Sequence, residues 1–283
     1  MNKYPGGCVF ASPIMNVSKY IYKVLENIRC ISQIFSKSYI ILYYDESNDN
    51  TLEIINNFTN TYQDVDIYVI KNTIWKNDRI KRLSRGRNII FNTIKNTEKY
   101  NTCDYFIAFD GDDVCCDGMN LDIIKYYIFN NTEWDCLTFN RHIYYDIWAL
   151  MYKPFVQHCY GFNNSYTDII YLTQKDLKHK LSALKNTELF DTDSAFNGFA
   201  MHKLQRIINI PNLKYTYKYK EYYNEKDFEK YRKYLEKVKL VKQSKMLYHR
   251  RHKTYMCEHI SFYQKLKSHG LLIRISPLIL FDQ

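Results

Sequence analysis

Short apolar runs alternate with segments of helical apolar spacing through the first 113 residues, and this alternation constrains the fold more than any other feature. The apolar runs are typical of buried strands and cover residues 8–13, 39–44, 67–70 and 104–109. Helical patterns lie between them, the last from about residue 85 to 97. Such alternation indicates βαβ units. We therefore predict an α/β fold with a Rossmann-like, mostly parallel central sheet flanked by helices, and a functional site at the carboxyl ends of its strands.

The second half of the chain is less regular. Its patterns indicate a strand at 134–139, another at 194–201 around Asn197 and Gly198, and a charged helix at 225–245 with Glu229 and Lys233 four residues apart. No repeat or linker interrupts the sequence, so we expect one continuous domain. Within it we distinguish an amino-terminal half at 5–115, an irregular half at 116–270 and a carboxyl-terminal tail at 271–283.

Composition excludes several classes of protein. With 46% hydrophobic residues the chain is not a disordered polymer. Its eight cysteines form no CxxC pair, so we expect free thiols and no zinc site. The amino terminus lacks the apolar run of a signal peptide, and the apolar stretch at 270–281 is too short to span a membrane. We expect a cytoplasmic protein, a viral protein in a host cytoplasm being one source.

Acidic residues follow the fourth apolar run. Asp110, Asp112 and Asp113, with Gly111 between the first two, lie at the expected mouth of a buried strand. Carboxylates so placed repel one another unless a cation or a donor-rich partner lies among them. Oxygen ligands of this kind suit Mg²⁺ or Mn²⁺, which often share their coordination with phosphate. The alternative is a polar turn, because Asp-Gly is a common turn dipeptide.

Two further polar clusters lie where ligands can bind. Residues 45–51 follow the second strand, and carboxylates there can accept hydrogen bonds from a nucleotide base or a ribose. One residue of this cluster is also expected to cap the next helix. Residues 81–88 carry four cations at the expected start of a helix, which suits a diphosphate. A solvated basic turn is the alternative.

Glu258 begins the last cluster and directly precedes His259, with His249 and His252 nearby. An acid at this position can be a first-turn helix residue and nothing more. Three histidines around one carboxylate favour a role in binding metal or phosphate.

Taken in chain order, these clusters resemble the motifs of GT-A glycosyltransferases, specifically the family-2-like group. The acidic D-x-S-x-D-x-T loop matches residues 45–51, with Glu46 where a small residue is usual. The RN helix start matches Arg87-Asn88, the DxD motif matches residues 110–112, and the late E-D segment matches 258–270 with His259 in place of Asp. Residues 145–148 and 194–198 are similar to elements of CAP59-like, capsule-type mannosyltransferases. The resemblance spans roughly residues 8–270.

The resemblance implies a metal-dependent hexosyltransferase with a GT-A fold. A UDP- or GDP-sugar would be the donor, Mn²⁺ or Mg²⁺ the cofactor, and a hydroxyl of a glycan or glycoprotein the acceptor. The half at 5–115 would bind the nucleotide-sugar, and the half at 116–270 the acceptor.

Individual roles follow from the matched positions. The residues implied in donor binding are Asp45, Glu46, Arg85, Arg87, Asn88 and Asp110. The implied metal ligands are Asp110, Asp112 and His252. Glu258 is the first choice of catalytic base, followed by Asp193 and Asp146, while retaining chemistry would need no side-chain base. The residues implied in acceptor binding are Tyr145, Trp148, Asn197 and Gly198.

Two other functions stay open. The chain carries 40 Lys+Arg against 30 Asp+Glu, a net charge of +10, and interleaves Tyr with Lys at 214–223, which suits single-stranded nucleic acid. The acids at 110–113 would repel phosphate without a metal, so nucleic acid is the less expected partner. A catalytically inactive GT-A scaffold is the third hypothesis, because His259 replaces an acid.

Overall fold

The computed structural model describes residues 3–72, 78–130, 133–156, 166–218, 220–248 and 255–282. Eight strands in this part of the chain form one sheet in the order β3-β2-β1-β4-β7-β5-β8-β6. They are β1 (Tyr4–Ile14), β2 (Phe35–Asp45), β3 (Asp66–Asn72), β4 (Tyr105–Phe109), β5 (Cys136–Asn140), β6 (Phe190–Thr192), β7 (Phe199–Lys203) and β8 (Ile273–Ile279). Strands β1 to β4 pair in parallel, as do β5 and β8, whereas β7 and β6 run antiparallel to their neighbours. The predicted α/β fold with a mostly parallel sheet is confirmed.

Helices cover both faces of the sheet. They are α1 (Ile21–Ser32), α2 (Thr51–Thr61), α3 (Arg79–Asn96), α4 (Glu98–Asn101), α5 (Leu121–Phe129), α6 (Tyr166–Ser182), α7 (Leu204–Ile207), α8 (Glu225–Lys237), α9 (Val241–Tyr248) and α10 (Glu258–Lys267). Alternate residues of β1 belong to opposite cores: Phe10 shares one with Leu25 of α1, and Val9 shares the other with Ile90 of α3. Strands β1, β2 and β4 are buried on both faces over most of their length, which explains their continuous apolar runs.

Helix α3 begins at Arg79, six residues before the predicted start at residue 85. Asp78 caps it, because its carboxylate accepts hydrogen bonds from the backbone N–H groups of Ile80 and Lys81. Arg85, Arg87 and Asn88 therefore lie inside the helix. The prediction that they form the helix start is wrong, and with it the idea that free helix N–H groups there hold a diphosphate.

Two further predictions on the second half are corrected. The expected strand at 194–201 begins only at Phe199, because Asn197 and Gly198 have φ angles of 54° and 80° and form a turn. The charged helix at 225–245 is two helices, α8 and α9, which a positive φ of 67° at Lys239 separates.

The segment 271–283 is more than a tail, because β8 lies inside the sheet between β5 and β6. Arg274 of β8 is accommodated by an ion pair of 2.8 Å with Asp191. Within the described residues, no helix is both long enough and apolar enough to cross a membrane.

Candidate active site

A cleft of about 420 Å³ opens where β1, β2 and β4 end and where helices α3 and α10 begin. The charged residues on its walls include Asp45, Asp110, Asp112, Asp146, Arg79 and Arg82. A crevice at the carboxyl ends of parallel strands is the usual ligand site of open α/β sheets. The cleft thus lies where the sequence predicted a site.

Asp110 and Asp112 directly follow β4, and Gly111 lets the chain turn between them. A Cβ atom on Gly111 would lie 2.6 Å from the side chain of Ile14, so glycine is required for the close approach. Burial raises the pKa of Asp110 to about 7, with repulsion from Asp112 and Asp146 adding to it and Arg87 opposing it. Burial and the neighbouring Asp113 also raise the pKa of Asp112.

The chemistry of this pair fits a divalent cation. The Oδ1 atom of Asp112 is buried and accepts no hydrogen bond from any residue that the structure describes. An unsatisfied carboxylate oxygen beside a second buried carboxylate is a ligand set for a hard cation such as Mg²⁺ or Mn²⁺. No group of three His, Cys, Asp or Glu side chains with metal-site geometry occurs among the residues that the structure describes. The remaining ligands would then come from water and the bound substrate. His252, the third predicted ligand, and His249 lie outside the described residues.

Arg87 faces the cleft but is held by two acids. Its Nε donates to Glu258 Oε1 at 3.1 Å, and its Nη2 donates to Asp110 Oδ1 at 3.2 Å. The guanidinium also lies 4.8 Å from the ring centre of Phe196 and is 6% exposed. Burial opposes its charge, but the two carboxylates raise the pKa of Arg87 above its usual value. The prediction that Arg87 binds the diphosphate directly therefore gives way to a structural role between two acids.

Two other arginines line the cleft: Arg79, which the sequence reasoning missed, and Arg82, one of the four cations of segment 81–88. Arg79 is the first residue of α3, is exposed, and forms no ion pair within the described part of the chain. Arg82, one turn later, has its Nε 3.8 Å from Asp45 Oδ2. The signal that could have found Arg79 was Asp78, an N-cap residue directly before it.

The other two residues predicted in segment 81–88 do not line the cleft. Arg85 is absent from its walls. The side-chain amide of Asn88 is used in two hydrogen bonds with the backbone of Tyr215, at 2.7 and 2.8 Å. Asn88 thus fixes the backbone at Tyr215 next to α3, and its side-chain amide is not available to a nucleotide-sugar.

Asp45 ends β2 and lines the cleft, where Asn72 of the neighbouring strand donates to its Oδ1 at 2.7 Å. Glu46 is exposed and lies outside the cleft. Asp49 holds the start of α2, accepting hydrogen bonds from Thr51 and from the Ser18 backbone. Partial burial alone would raise the pKa of Asp49, but these hydrogen bonds lower it to about 2. In the cluster 45–51, one residue therefore faces the cleft and another holds the first residue of α2.

The three candidate bases differ in environment. Glu258 is the first residue of α10, is buried, and pairs with Arg87, so it is not a solvated first-turn acid. Burial, followed by the charge of Glu258, raises the pKa of Asp146 to about 7. Asp193 does not line the cleft, since its carboxylate accepts from the Tyr223 hydroxyl at 2.7 Å and lies 3.8 Å from Lys267. Its predicted catalytic role is corrected to a structural one.

The four predicted acceptor residues divide into two pairs. Tyr145 and Trp148 line the cleft. Asn197 and Gly198 are buried and form hydrogen bonds with backbone groups of other segments. Asn197 Oδ1 accepts hydrogen bonds from the N–H groups of Tyr145 and Asp146 at 2.9 and 3.1 Å, and the Gly198 carbonyl accepts one from the Asp110 N–H at 2.8 Å. This turn positions other residues and does not itself line the cleft.

His259, which the sequence grouped with His249 and His252 in a metal- or phosphate-binding role, lines the cleft. Its ring stacks on Phe196 with centroids 3.9 Å apart, and neither ring nitrogen forms a hydrogen bond. Burial, then the charge of Arg87, lowers the pKa of His259 well below its usual value. The histidine that replaces the expected acid is therefore neutral.

Comparisons with known proteins were made with both sequence and structure. No family model and no curated protein matches the sequence. The mannosyltransferase PcManGT from Pyrobaculum calidifontis, in complex with GDP-Man and Mn²⁺, is 11% identical with a TM-score of 0.46, over 75% of this chain and 48% of that one. S. aureus TarS 1-349 is 13% identical with a TM-score of 0.45, over 98% and 58%. Glucosyl-3-phosphoglycerate synthase from Mycobacterium tuberculosis, with Mn²⁺, UDP and phosphoglyceric acid, is 8% identical with a TM-score of 0.40, over 74% and 60%.

The first of these structures is named a mannosyltransferase and the third a glucosyl-3-phosphoglycerate synthase. The chain spans about half to three-fifths of their lengths. At such identities they assign neither a donor nor an acceptor to this chain. The finer resemblance to CAP59-like enzymes stays a prediction.

Proposed function

We propose that this protein is a divalent-cation-dependent glycosyltransferase that transfers a sugar from a UDP- or GDP-sugar to a hydroxyl of a glycan or protein acceptor. One observation carries the proposal. Asp45 and the Asp110–Asp112 pair end two parallel strands and share a single cleft with Arg79 and Arg82 of α3. Acids and cations in one cleft suit a ligand that has both hydrogen-bond donors and a diphosphate.

The donor would be held by groups of opposite charge. Asp45 would accept hydrogen bonds from the base or the ribose, as acids at strand ends do in nucleotide-binding folds. Arg79 and Arg82 would pair with the diphosphate. Asp110 and Asp112 would hold Mg²⁺ or Mn²⁺, which when bound stabilises the negative charge of the leaving nucleoside diphosphate.

Asp146 is our choice of general base. A base works best when its pKa lies near the operating pH, and burial raises the pKa of Asp146 to about 7. Its carboxylate would take the proton of the acceptor hydroxyl as that oxygen attacks the anomeric carbon. Glu258, the first choice from sequence, is tied to Arg87, so we assign it the role of positioning Arg87 beside Asp110.

The acceptor would lie against Tyr145 and Trp148, which flank Asp146 in sequence and line the same cleft. Aromatic side chains with a polar atom suit sugar rings, which present both apolar faces and hydroxyl groups.

Calorimetric titration of UDP and GDP, with and without Mn²⁺, tests the proposal. We expect nucleotide binding that needs Mn²⁺, that is lost in Asp112→Asn, and that survives in Asp113→Asn. The second variant is a matched control, because Asp113 is adjacent and exposed but lies outside the cleft. Binding of single-stranded DNA that is insensitive to Asp112→Asn, with no nucleotide binding, would overturn the proposal. Nucleotide binding without donor hydrolysis would identify an inactive scaffold.

A further inference from the structure

A second pocket, of about 380 Å³, lies beside the candidate active site. The two are joined by consecutive residues, because Tyr144 lines the second pocket while Tyr145 and Asp146 line the cleft. Helix α6 forms another wall with Tyr171, Lys175 and Lys178, which share one helix face. Gln174 joins the walls by donating to the Tyr144 carbonyl at 2.9 Å. A ligand held here is one loop away from the proposed base.

The charged side chains that line this pocket are cations. Among the residues that the structure describes, the lining includes Arg141, Lys175 and Lys178 and no Asp or Glu. Lys175 and Lys178 are exposed and form no ion pair with any residue that the structure describes. The two lysines are therefore free to meet an anion from solvent.

Arg141 is the most unusual of these cations, because it is 5% exposed and has no carboxylate partner in the described ranges. Its guanidinium donates to the carbonyls of Val114 and Asn197 and lies 5.1 Å from the ring centre of Phe281. Within the described part of the chain, its Nη1 forms no hydrogen bond, and neither does the buried hydroxyl of Tyr144. A buried charge without a counter-ion is costly, and buried donors without acceptors add to that cost. A ligand that brings negative charge and acceptor oxygens would offset both.

The pocket also has an apolar, aromatic side. Tyr171 is 67% exposed and Ile143 is 72% exposed, so both present hydrophobic surface to solvent. A tyrosine ring beside cations is suited to a sugar that carries an anionic group.

We propose that this pocket is an acceptor subsite for a sugar that bears a phosphate or a carboxylate. The sugar ring lies on Tyr171, and the anion pairs with Lys175 and Lys178 in the field of Arg141. The term acceptor rests on the glycosyltransferase function proposed above, whereas the binding of an anionic sugar does not.

Calorimetric titration with glucose 6-phosphate as the probe tests the subsite, with glucose, glucuronate and inorganic phosphate as comparisons. We expect saturable binding of glucose 6-phosphate or glucuronate, and binding of glucose and of inorganic phosphate at least about tenfold weaker. The double variant Lys175→Ala/Lys178→Ala should lose about tenfold or more in affinity for the anionic sugar. The matched control, Lys226→Ala/Lys230→Ala, removes two exposed lysines of α8 outside this pocket and should bind like the unaltered protein.

The outcomes separate this subsite from the nucleotide cleft. Anionic-sugar binding that survives Asp112→Asn and saturating UDP or GDP with Mn²⁺ supports a separate subsite. The subsite would be overturned if the anionic sugar shows no saturable binding or competes with the nucleotide. It would also be overturned if inorganic phosphate binds with equal affinity, or if the α8 control variant loses as much affinity for the anionic sugar as the Lys175→Ala/Lys178→Ala variant. If the anionic sugar binds and no nucleotide does, the glycosyltransferase function fails and the anion site stands. If the nucleotide binds and no anionic sugar does, the anion site fails and the glycosyltransferase function stands.

Discussion

Arg87 and Glu258 form a buried ion pair of 3.1 Å although 171 residues of sequence separate them. The same guanidinium reaches Asp110 at 3.2 Å, so one side chain links the end of β4 to the start of α10. Both acids line the cleft. The spatial relation between the proposed metal-binding pair and the carboxyl-terminal helix is therefore set by Arg87.

We expect Arg87→Met to lower the free energy of unfolding by about 3–5 kcal/mol, because it leaves the Glu258 carboxylate buried and unpaired. The double variant Arg87→Met/Glu258→Gln should lose clearly less than the sum of the single variants. Urea unfolding of all three measures this coupling. Lys23→Met removes one side of an exposed pair and should change the free energy of unfolding by about 0.5 kcal/mol or less. Additive losses in the double variant would contradict the ion pair.

Gly111→Ala should weaken Mn²⁺-dependent nucleotide binding and cost about 1–3 kcal/mol of stability, because the new Cβ meets Ile14 at 2.6 Å and displaces the turn between the two acids. Calorimetric titration and urea unfolding measure the two effects. Gly118→Ala is the control, since its Cβ would have a nearest contact of 3.7 Å, to Asp282. Unchanged binding in Gly111→Ala would mean that the turn geometry does not position the acids.

The pH dependence of transfer should report Asp146. A base acts only when deprotonated, and the pKa of Asp146 is raised to about 7, so the rate should rise with pH through about 7 and level off above it. Asp146→Asn should lower the rate about 100-fold or more, without loss of nucleotide binding, and remove that rise. Rates of transfer, or of donor hydrolysis, measured from pH 5.5 to 8.5 provide the test. A profile that is identical in the variant would exclude Asp146 as the base.

His202 should make stability depend on pH. Burial lowers the pKa of His202 to about 4, and its ring donates from Nδ1 to the Phe106 carbonyl and accepts at Nε2 from the Tyr263 hydroxyl. The unfolded chain binds the proton near pH 6.5 and the folded chain only near 4, so stability is full above 6.5 and falls as pH drops toward 4. From pH 7.5 to 5 this contribution is about 2 kcal/mol.

Urea unfolding of the unaltered protein and of His202→Gln at both pH values measures the difference. The unaltered protein should lose about 2 kcal/mol more than the variant, which cannot take up this proton. Equal losses would show that His202 does not titrate between the two states.

Strand β3, at the edge of the sheet, contains no buried residue and was predicted from its short apolar run alone. Strands β1, β2 and β4 could be predicted because they are buried on both faces over most of their length, so each contains a nearly unbroken apolar run. The acids at the ends of β2 and β4 were visible for the same reason, since a polar residue after such a run marks its end. The start of α3 was not, because its first two turns carry Arg79, Lys81 and Arg82 while Ile80 and Leu83 are only partly buried. Strand β8 was hidden by Arg274 and Pro277, which the neighbouring strand and a bulge accommodate.

Contacts distant in sequence could not be predicted at all. The pairing of Arg87 with Glu258 depends on how α3 and α10 meet over the sheet, which no local pattern encodes. The resemblance in motifs pointed to both residues but gave Arg87 a role in donor binding. In the structure, the guanidinium of Arg87 instead pairs with Glu258 and Asp110.

The turn at Asn197 and Gly198 has a consequence for how this cleft can evolve. One side chain fixes the backbone that carries Tyr145 and Asp146, and the next carbonyl fixes Asp110. Under the proposed function, a shift of this turn would move the donor side and the acceptor side at the same time. New acceptor preferences would then be more accessible through side-chain exchanges at Tyr145, Trp148 or Tyr171 than through insertions near the turn, which would alter both sides at once.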